Sequence, residues 1–380
     1  MPVYIPEEIL DKIIDYATAP LRYFSYAGEL EMEVHVGGDF SKQAASFVSH
    51  AFHQIVLPYK FRSLTFQLSN IKSIGDDFIS RVGLVPIPKF CEAINAGDTH
   101  ALSLAPLVQE LNLLYWSNTD RSRLQFIPET FEKVINGVLF FRNLTKLRME
   151  SCVTSPAIME QLGKLVQLQS LHTRGCRVDG FGRFGALSNL QCLHTLECKH
   201  DWLFASYLAC IPMKNLRILK TDELEVIEVL LATDPPVQLK ELWLSTRDYW
   251  CRKVEGPSLL WNYLARVTSL THLSLPDLKC HLPVCPPSLI FPFQELQHLC
   301  IHVALAPRFA DQPMKKLTIY TESGLGQAMV EVRQHWQGIV FPHVEYLKMD
   351  RRALDRQYDE LDKIPIEFWR EFLLNVIEVQ

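Results

Sequence analysis

The sequence predicts an α/β fold, a parallel-sheet solenoid with helices on its outer side, preceded by a small helical module. Three observations carry that prediction. An apolar pattern L-x-x-L-x-L, with other apolar residues allowed, occurs ten times between Val108 and Met349. Measured at the middle leucine, from Leu111 to Leu347, the successive steps are 36, 24, 25, 23, 23, 31, 26, 18 and 30 residues. The chain has 380 residues, of which 48% are hydrophobic, enough for a large core.

The copies begin with VQELNL at Val108 and LTKLRM at Leu144. They continue as LQSLHT, LHTLEC, LRILKT, LKELWL, LTHLSL, LQHLCI and MKKLTI, and end with VEYLKM at Val344. The L-x-L part alternates as a strand does, sending two side chains to one face, while the earlier leucine turns inward from the preceding segment. One such unit cannot bury its own apolar face, so neighbours must stack into a parallel sheet with the intervening segments outside. The period matches leucine-rich repeats, at roughly 20–29 residues each, and predicts their horseshoe. Helices are expected where that scheme needs them, from Ser155-Pro156 to about Leu165 and through SLLWNYLARV after Gly256-Pro257. Leu144, Leu147, Met149 and Cys152, then Leu168, Leu171, Thr173 and Cys176, fit L-x-x-L-x-L-x-x-C. These residues resemble the cysteine-containing leucine-rich repeats, in which that cysteine is a buried structural position.

A net charge of −5 gives no global reason to expect nucleic acid or an anionic membrane as partner. No apolar stretch approaches the roughly 18 residues of a membrane span, and no basic region precedes an apolar run near Met1. The expectation is an intracellular protein, in cytoplasm or nucleus, whose 10 cysteines are reduced thiols.

Ahead of the repeats, Ile9, Leu10, Ile13, Ile14 and Ala17 recur at helical spacing after Pro6, with Glu7 and Glu8 at the positive end of the helix dipole. Ala44, Val48, Ala51, Phe52 and Ile55 form a second stripe ended by Pro58, and Phe61, Leu64 and Phe66 read as an entry strand. Two helices and a strand make a poor independent core. Ile5, Pro6, Glu8, Ile9 and Leu10, followed by Val48, Ser49 and Phe52, resemble the F-box. An F-box followed by leucine-rich repeats is a familiar family architecture. Two departures stand out: residues 18–41 make the link between the helices longer than usual, and Phe52 stands where tryptophan is common. The resemblance implies a substrate receptor of a Skp, cullin and F-box ubiquitin ligase. Ile5, Pro6, Glu8, Ile9, Leu10, Ile13, Ile14, Val48, Ser49 and Phe52 would then bind the Skp-type adaptor, and through it a cullin, while the repeats hold a protein substrate. The expected organisation is a module over residues 1–66 with its inserted loop, repeats over 67–363, and a capping helix over 364–380 carrying Ile366, Trp369, Phe372, Leu373, Val376 and Ile377 on one face.

Rival motifs are weak in context. GFGRFG at Gly180–Gly185 matches the dinucleotide fingerprint, but only four residues separate it from Leu190, where the next repeat begins, leaving no room for a phosphate-binding helix. CHLPVC at Cys280–Cys285 and the pairs Cys192 with His194 and Cys198 with His200 lack a partner set at zinc spacing. No metal, cofactor or catalytic constellation is expected, and the chain reads as a non-enzyme.

Strand alternation places Arg148, His172, Arg174, Lys199, Lys220, Trp243, His272, His298, His302, Tyr320, Tyr346 and Lys348 on the open face of the sheet, as candidate substrate contacts. In the nine repeats from Leu144 that face carries seven basic and five acidic residues, against −5 for the chain. One reading is a surface for an acidic or phosphorylated segment, with Arg148 and Arg174 close enough to grip one phosphate. The other is an ordinary solvated sheet. At the level of the whole chain the alternative is a repeat scaffold that binds a protein without any link to ubiquitin.

Overall fold

The computed structural model describes residues 34–36, 58, 61–67, 89–116, 127–180, 184–201, 204–245, 256–275, 290–321, 325–351, 366–373 and 378–379. The chain divides into two compact units, one holding residues 1–193 and 200–212, the other 194–199 and 213–380. The fold in both is a leucine-rich repeat with one short strand per copy of the pattern.

In the first unit, β1 (Val34–Val36) runs antiparallel to β2 (Ser63–Gln67), which pairs in parallel with β3 (Glu110–Leu114). Parallel pairing continues to β4 (Lys146–Glu150). After the two-residue β5 (Val153–Thr154) comes β6 (Ser170–Arg174), which pairs with β4. The two-residue β7 (Arg177–Val178) pairs with β5 in a separate ladder. Register puts Leu64, Leu111, Leu147 and Leu171 side by side, and Phe66, Leu113, Met149 and Thr173 beside them. All eight are buried, so the pattern's last two apolar positions form two continuous files behind the sheet. The repeat sheet therefore begins earlier than residue 67, because β2 supplies a further copy, Phe61-x-x-Leu64-x-Phe66. A strand, β1, also lies within the segment expected to be an inserted loop.

Helices occupy the intervals. Asp98 caps Thr99–Leu104 by accepting from Ala101 N at 2.7 Å. Ser155 caps Pro156–Leu162 through Ile158 N at 3.3 Å, with Pro156 in the first turn. That helix stops short of the expected Leu165. At Gly163 an added Cβ would meet the Ala186 carbonyl oxygen at 2.0 Å, so the chain passes its neighbour at a distance only glycine tolerates.

Four successive copies turn off the strand alike. Four residues beyond each middle leucine, Tyr115, Ser151, Gly175 and His200 have φ of 61°, 52°, 64° and 61°. Non-glycine residues seldom adopt this left-handed backbone. It swings the next side chain inward. Trp116 Nε1 then donates to Phe66 O at 2.9 Å, Cys152 Sγ to Leu113 O at 3.3 Å, and Cys176 Sγ to Met149 O at 3.5 Å. The fourth, Asp201, is 1% exposed and accepts from the Thr173 hydroxyl and from Cys176 N, the latter at 2.7 Å. Cys152 and Cys176 are thus buried structural thiols. The Cys176 thiol is pushed well above the ordinary cysteine range, first by its hydrogen bond with the Cys152 side chain and then by burial.

The second unit runs β8 (Thr195–Lys199), β9 (Ile218–Thr221), β10 (Glu241–Leu244), β11 (His272–Leu275), β12 (His298–His302), β13 (Lys316–Thr321), β14 (Tyr346–Arg351) and β15 (Glu378–Val379), each parallel to the next. Leu196, Leu219, Leu242, Leu273, Leu299, Leu317, Leu347 and Val379 stand in one register file. Helices Leu224–Ala232, Gly256–Leu264 and Leu325–Trp336 connect strands and bury Leu230, Trp261 and Trp336. Behind β12, Phe291 and Phe309 stack with centroids 4.6 Å apart.

The C-terminal segment differs from the continuous helix expected there. Ile366–Trp369 is one short helix, Leu373 bridges Phe341, and Glu378–Val379 then extends the sheet beside Tyr346 and Leu347. Phe368, Trp369, Phe372 and Leu373 are buried, so the apolar residues do reach the core. Val376 and Ile377 lie outside the described residues.

Candidate functional site

The expected adaptor contacts Ile5, Pro6, Glu8, Ile9, Leu10, Ile13, Ile14, Val48, Ser49 and Phe52 lie outside the described residues. The open face of the sheet is described in both units, and alternation puts every candidate there.

In the first unit, Arg148 and Arg174 stand on adjacent strands but are not register partners. Register sets Arg148 beside His172 and Arg174 beside Glu150. Arg148 reaches along its own strand to Glu150 at 3.0 Å. The carboxylate that pairs with Arg148 thus belongs to the residue that stands beside Arg174 in register. Lys146 pairs likewise with Glu110 at 2.6 Å, and His172 Nε2 lies 2.8 Å from Ser170 Oγ. Exposed pairs of this kind contribute about 0–1 kcal/mol each, but they do neutralise the local field.

In the second unit the basic and aromatic residues cluster. Lys199 pairs with Glu197 at 2.9 Å and Lys220 with Glu241 at 3.6 Å. The Lys220 ammonium also lies 5.1 Å from the centre of the Trp243 ring. Trp243 meets His298 edge to face at 6.4 Å, and His298 meets His272 at 5.7 Å. Lys316, absent from the expected contacts, stands beside His298 in register, with its ammonium 5.6 Å from the Tyr346 ring centre. Thr318 Oγ1 is 3.2 Å from His298 Nε2, Lys348 is beside Thr318, and Tyr320 lies between His302 and Asp350 in register. His302 Nδ1 accepts from Ala304 N at 3.3 Å.

Burial holds the His298 imidazole below its usual pKa of 6.5, helped by the positive charges of His272, Lys316 and Lys348. No group of three or more histidine, cysteine or acidic residues among the described residues could hold a metal ion. Cys198, read from sequence beside His200, instead faces Thr221 Oγ1 at 3.0 Å. The GFGRFG segment leads into a 3-10 turn at Phe184–Asn189. No helix among the described residues is long and apolar enough to cross a membrane.

No family model and no curated relative matches the chain. Among solved structures it is similar to an internalin from Listeria monocytogenes, at 14% identity over 78% of this chain and 77% of that one, with a TM-score of 0.31. That likeness is slight and adds nothing to the registered leucine files, which establish the repeat.

The two faces of β10 give a direct test of the register. Leu242 is fully buried, so Leu242→Ala should cost about 2–5 kcal/mol through lost burial and a cavity. Trp243, the next residue, is half-buried on the open face, and its Nε1 is enclosed without a hydrogen-bond partner. Trp243→Ala should therefore cost measurably less than Leu242→Ala, rather than nothing as bare alternation implies. Urea midpoints for the two variants decide it, and an equal or reversed order would refute the facing assigned to β10.

Proposed function

We propose that the chain is a substrate receptor of a ubiquitin ligase, with an F-box-like N-terminal module binding a Skp-type adaptor and the repeats holding a partner protein on their open face. The observation that carries the partner-binding part is the division of the sheet. One side is filled with aligned leucines, and the other displays Trp243, Tyr320, Tyr346 and a set of lysines and histidines. Aromatic and cationic side chains supported by a buried scaffold suit a recognition surface. The link to ubiquitin is supported by the residues at 5–10 and 48–52 that resemble an F-box, leading into β2. Such a receptor has no catalytic residues of its own. It works by proximity, holding a substrate lysine near a thioester carried by another subunit.

The test is copurification. Ile9→Asp with Leu10→Asp should abolish adaptor recovery, because it would place unpaired carboxylates at an apolar interface. The repeats should keep their circular dichroism and urea midpoint. Full adaptor recovery by a folded double variant would remove the ligase reading and leave a repeat scaffold that binds protein independently of ubiquitin.

A further inference from the structure

We propose that the open face of β11–β14 takes an acidic peptide segment of a partner protein, laid across the strands with its carboxylates against His272, His298, Lys316 and Lys348. This rests on the open face being the partner-binding surface and names the chemistry it selects.

The face here has three rows. The first is His272, His298, Lys316 and Tyr346, adjacent in register. The middle row is Ser274, Cys300, Thr318 and Lys348, likewise adjacent. The third contains His302, Tyr320 and Asp350. Ser274, Cys300 and Thr318 are only 3%, 4% and 8% exposed although they point to the open side, because longer side chains flank them. The low middle row, flanked by longer side chains on β12 and β13, is the trough of this proposal, with Lys348 at its β14 position. Its rims are imidazole, ammonium and phenol, and within these three rows the sequence supplies one carboxylate, Asp350, in the last.

Three inter-strand steps of about 4.8 Å give the trough a length of about 14 Å. An extended chain covers that in about four residues, at roughly 3.3–3.6 Å each. The basic side chains are distributed over all four strands rather than focused on a point, which suits several carboxylates in a row better than one phosphate.

Protons should follow the ligand. The groups facing His298 are His272 and Ser274 from β11, Lys316 and Thr318 from β13, Lys348 from β14, Trp243 from β10, and Cys300 and His302 on its own strand. Among the acidic residues, Glu241 stands beside His272 in register and Asp350 beside Tyr320. Burial and neighbouring positive charge lower the His298 pKa in the free protein, and an anion in the trough opposes that effect. Binding therefore takes up a proton and strengthens as pH falls through the imidazole range.

The experiment is fluorescence anisotropy on the full chain at low salt, with a labelled five-glutamate peptide flanked by glycine and serine, and its five-glutamine counterpart. The glutamate peptide should bind tighter by about tenfold or more, the worth of one or two charge-assisted contacts. It should bind several-fold tighter at pH 6 than at pH 8. Lys316→Glu with Lys348→Glu should remove that preference, while Arg142→Glu with Lys164→Glu, exposed in the first unit away from the strands, should leave it intact. Equal binding of the two peptides, loss of binding in both charge-reversed proteins alike, or tighter binding of a singly phosphorylated serine peptide than of the glutamate run would each overturn the assignment. Adaptor recovery is untouched by this assay, so its failure is separate from failure of the ligase reading.

Discussion

Trp336→Ala is expected to destabilise the second unit by about 3–5 kcal/mol, among the largest costs a single core truncation brings. Trp336 is fully buried at the end of its helix. Its ring lies 4.7 Å from Phe341, 5.8 Å from Phe372 and 6.1 Å from Trp369 between centroids, and its Nε1 donates to Val303 O at 2.9 Å. One side chain thus joins the helix, the β12 exit and the C-terminal segment. Trp336→Phe should keep most of the packing and lose about 1–2 kcal/mol for the carbonyl left without its donor. Val330 on the same helix is 54% exposed, and Val330→Ala supplies the control. If guanidinium unfolding gave Trp336→Ala and Val330→Ala similar midpoints, the C-terminal packing described here would be wrong.

A comparable loss is expected from Asp201→Ala. Two donors, the Thr173 hydroxyl and Cys176 N, lose their acceptor in an interior that offers water no access. At about 1–3 kcal/mol for each buried group left unpaired, the cost should be about 2–5 kcal/mol. Asp201→Asn retains an oxygen for Cys176 N, and the Thr173 hydroxyl can accept from the new amide, so it should cost about 1 kcal/mol or less. Amide hydrogen exchange at Cys176 gives a local readout. Exchange there should accelerate sharply in the alanine variant and little in the asparagine one, and protection unchanged by Asp201→Ala would contradict the bonding described.

The strands were legible because their signal is strictly local and periodic. Every middle leucine from Leu111 to Leu347 lies in a register file, since a one-residue slip would expose the whole apolar set. Phe61, Leu64 and Phe66 read as an entry strand, but not as a copy of the repeat although they obey the same rule, because they fall in the stretch resembling another module. Asp201 was hidden by chemistry. Leu193, Leu196, Cys198 and Asp201 repeat the spacing that ends in Cys152 and Cys176, but a carboxylate at a core position reads as surface until its donors are seen. The open face fared less well. Alternation chose the correct side for every candidate, yet ion pairs depend on register and rotamer, so the neutralised Arg148 and the positive surroundings of His298 appear only in three dimensions.

The inward residues Trp116, Cys152, Cys176 and Asp201 have a direction. Each bonds to the copy before it, to Phe66, Leu113, Met149 and Thr173 in turn. A chain emerging from the ribosome can therefore complete every such tie as soon as the residue appears, with its partner strand already available. Reversing the order would leave a buried tryptophan, two thiols and a carboxylate facing nothing until later strands arrived. The first unit is in this sense built to be assembled in the order in which it is synthesised.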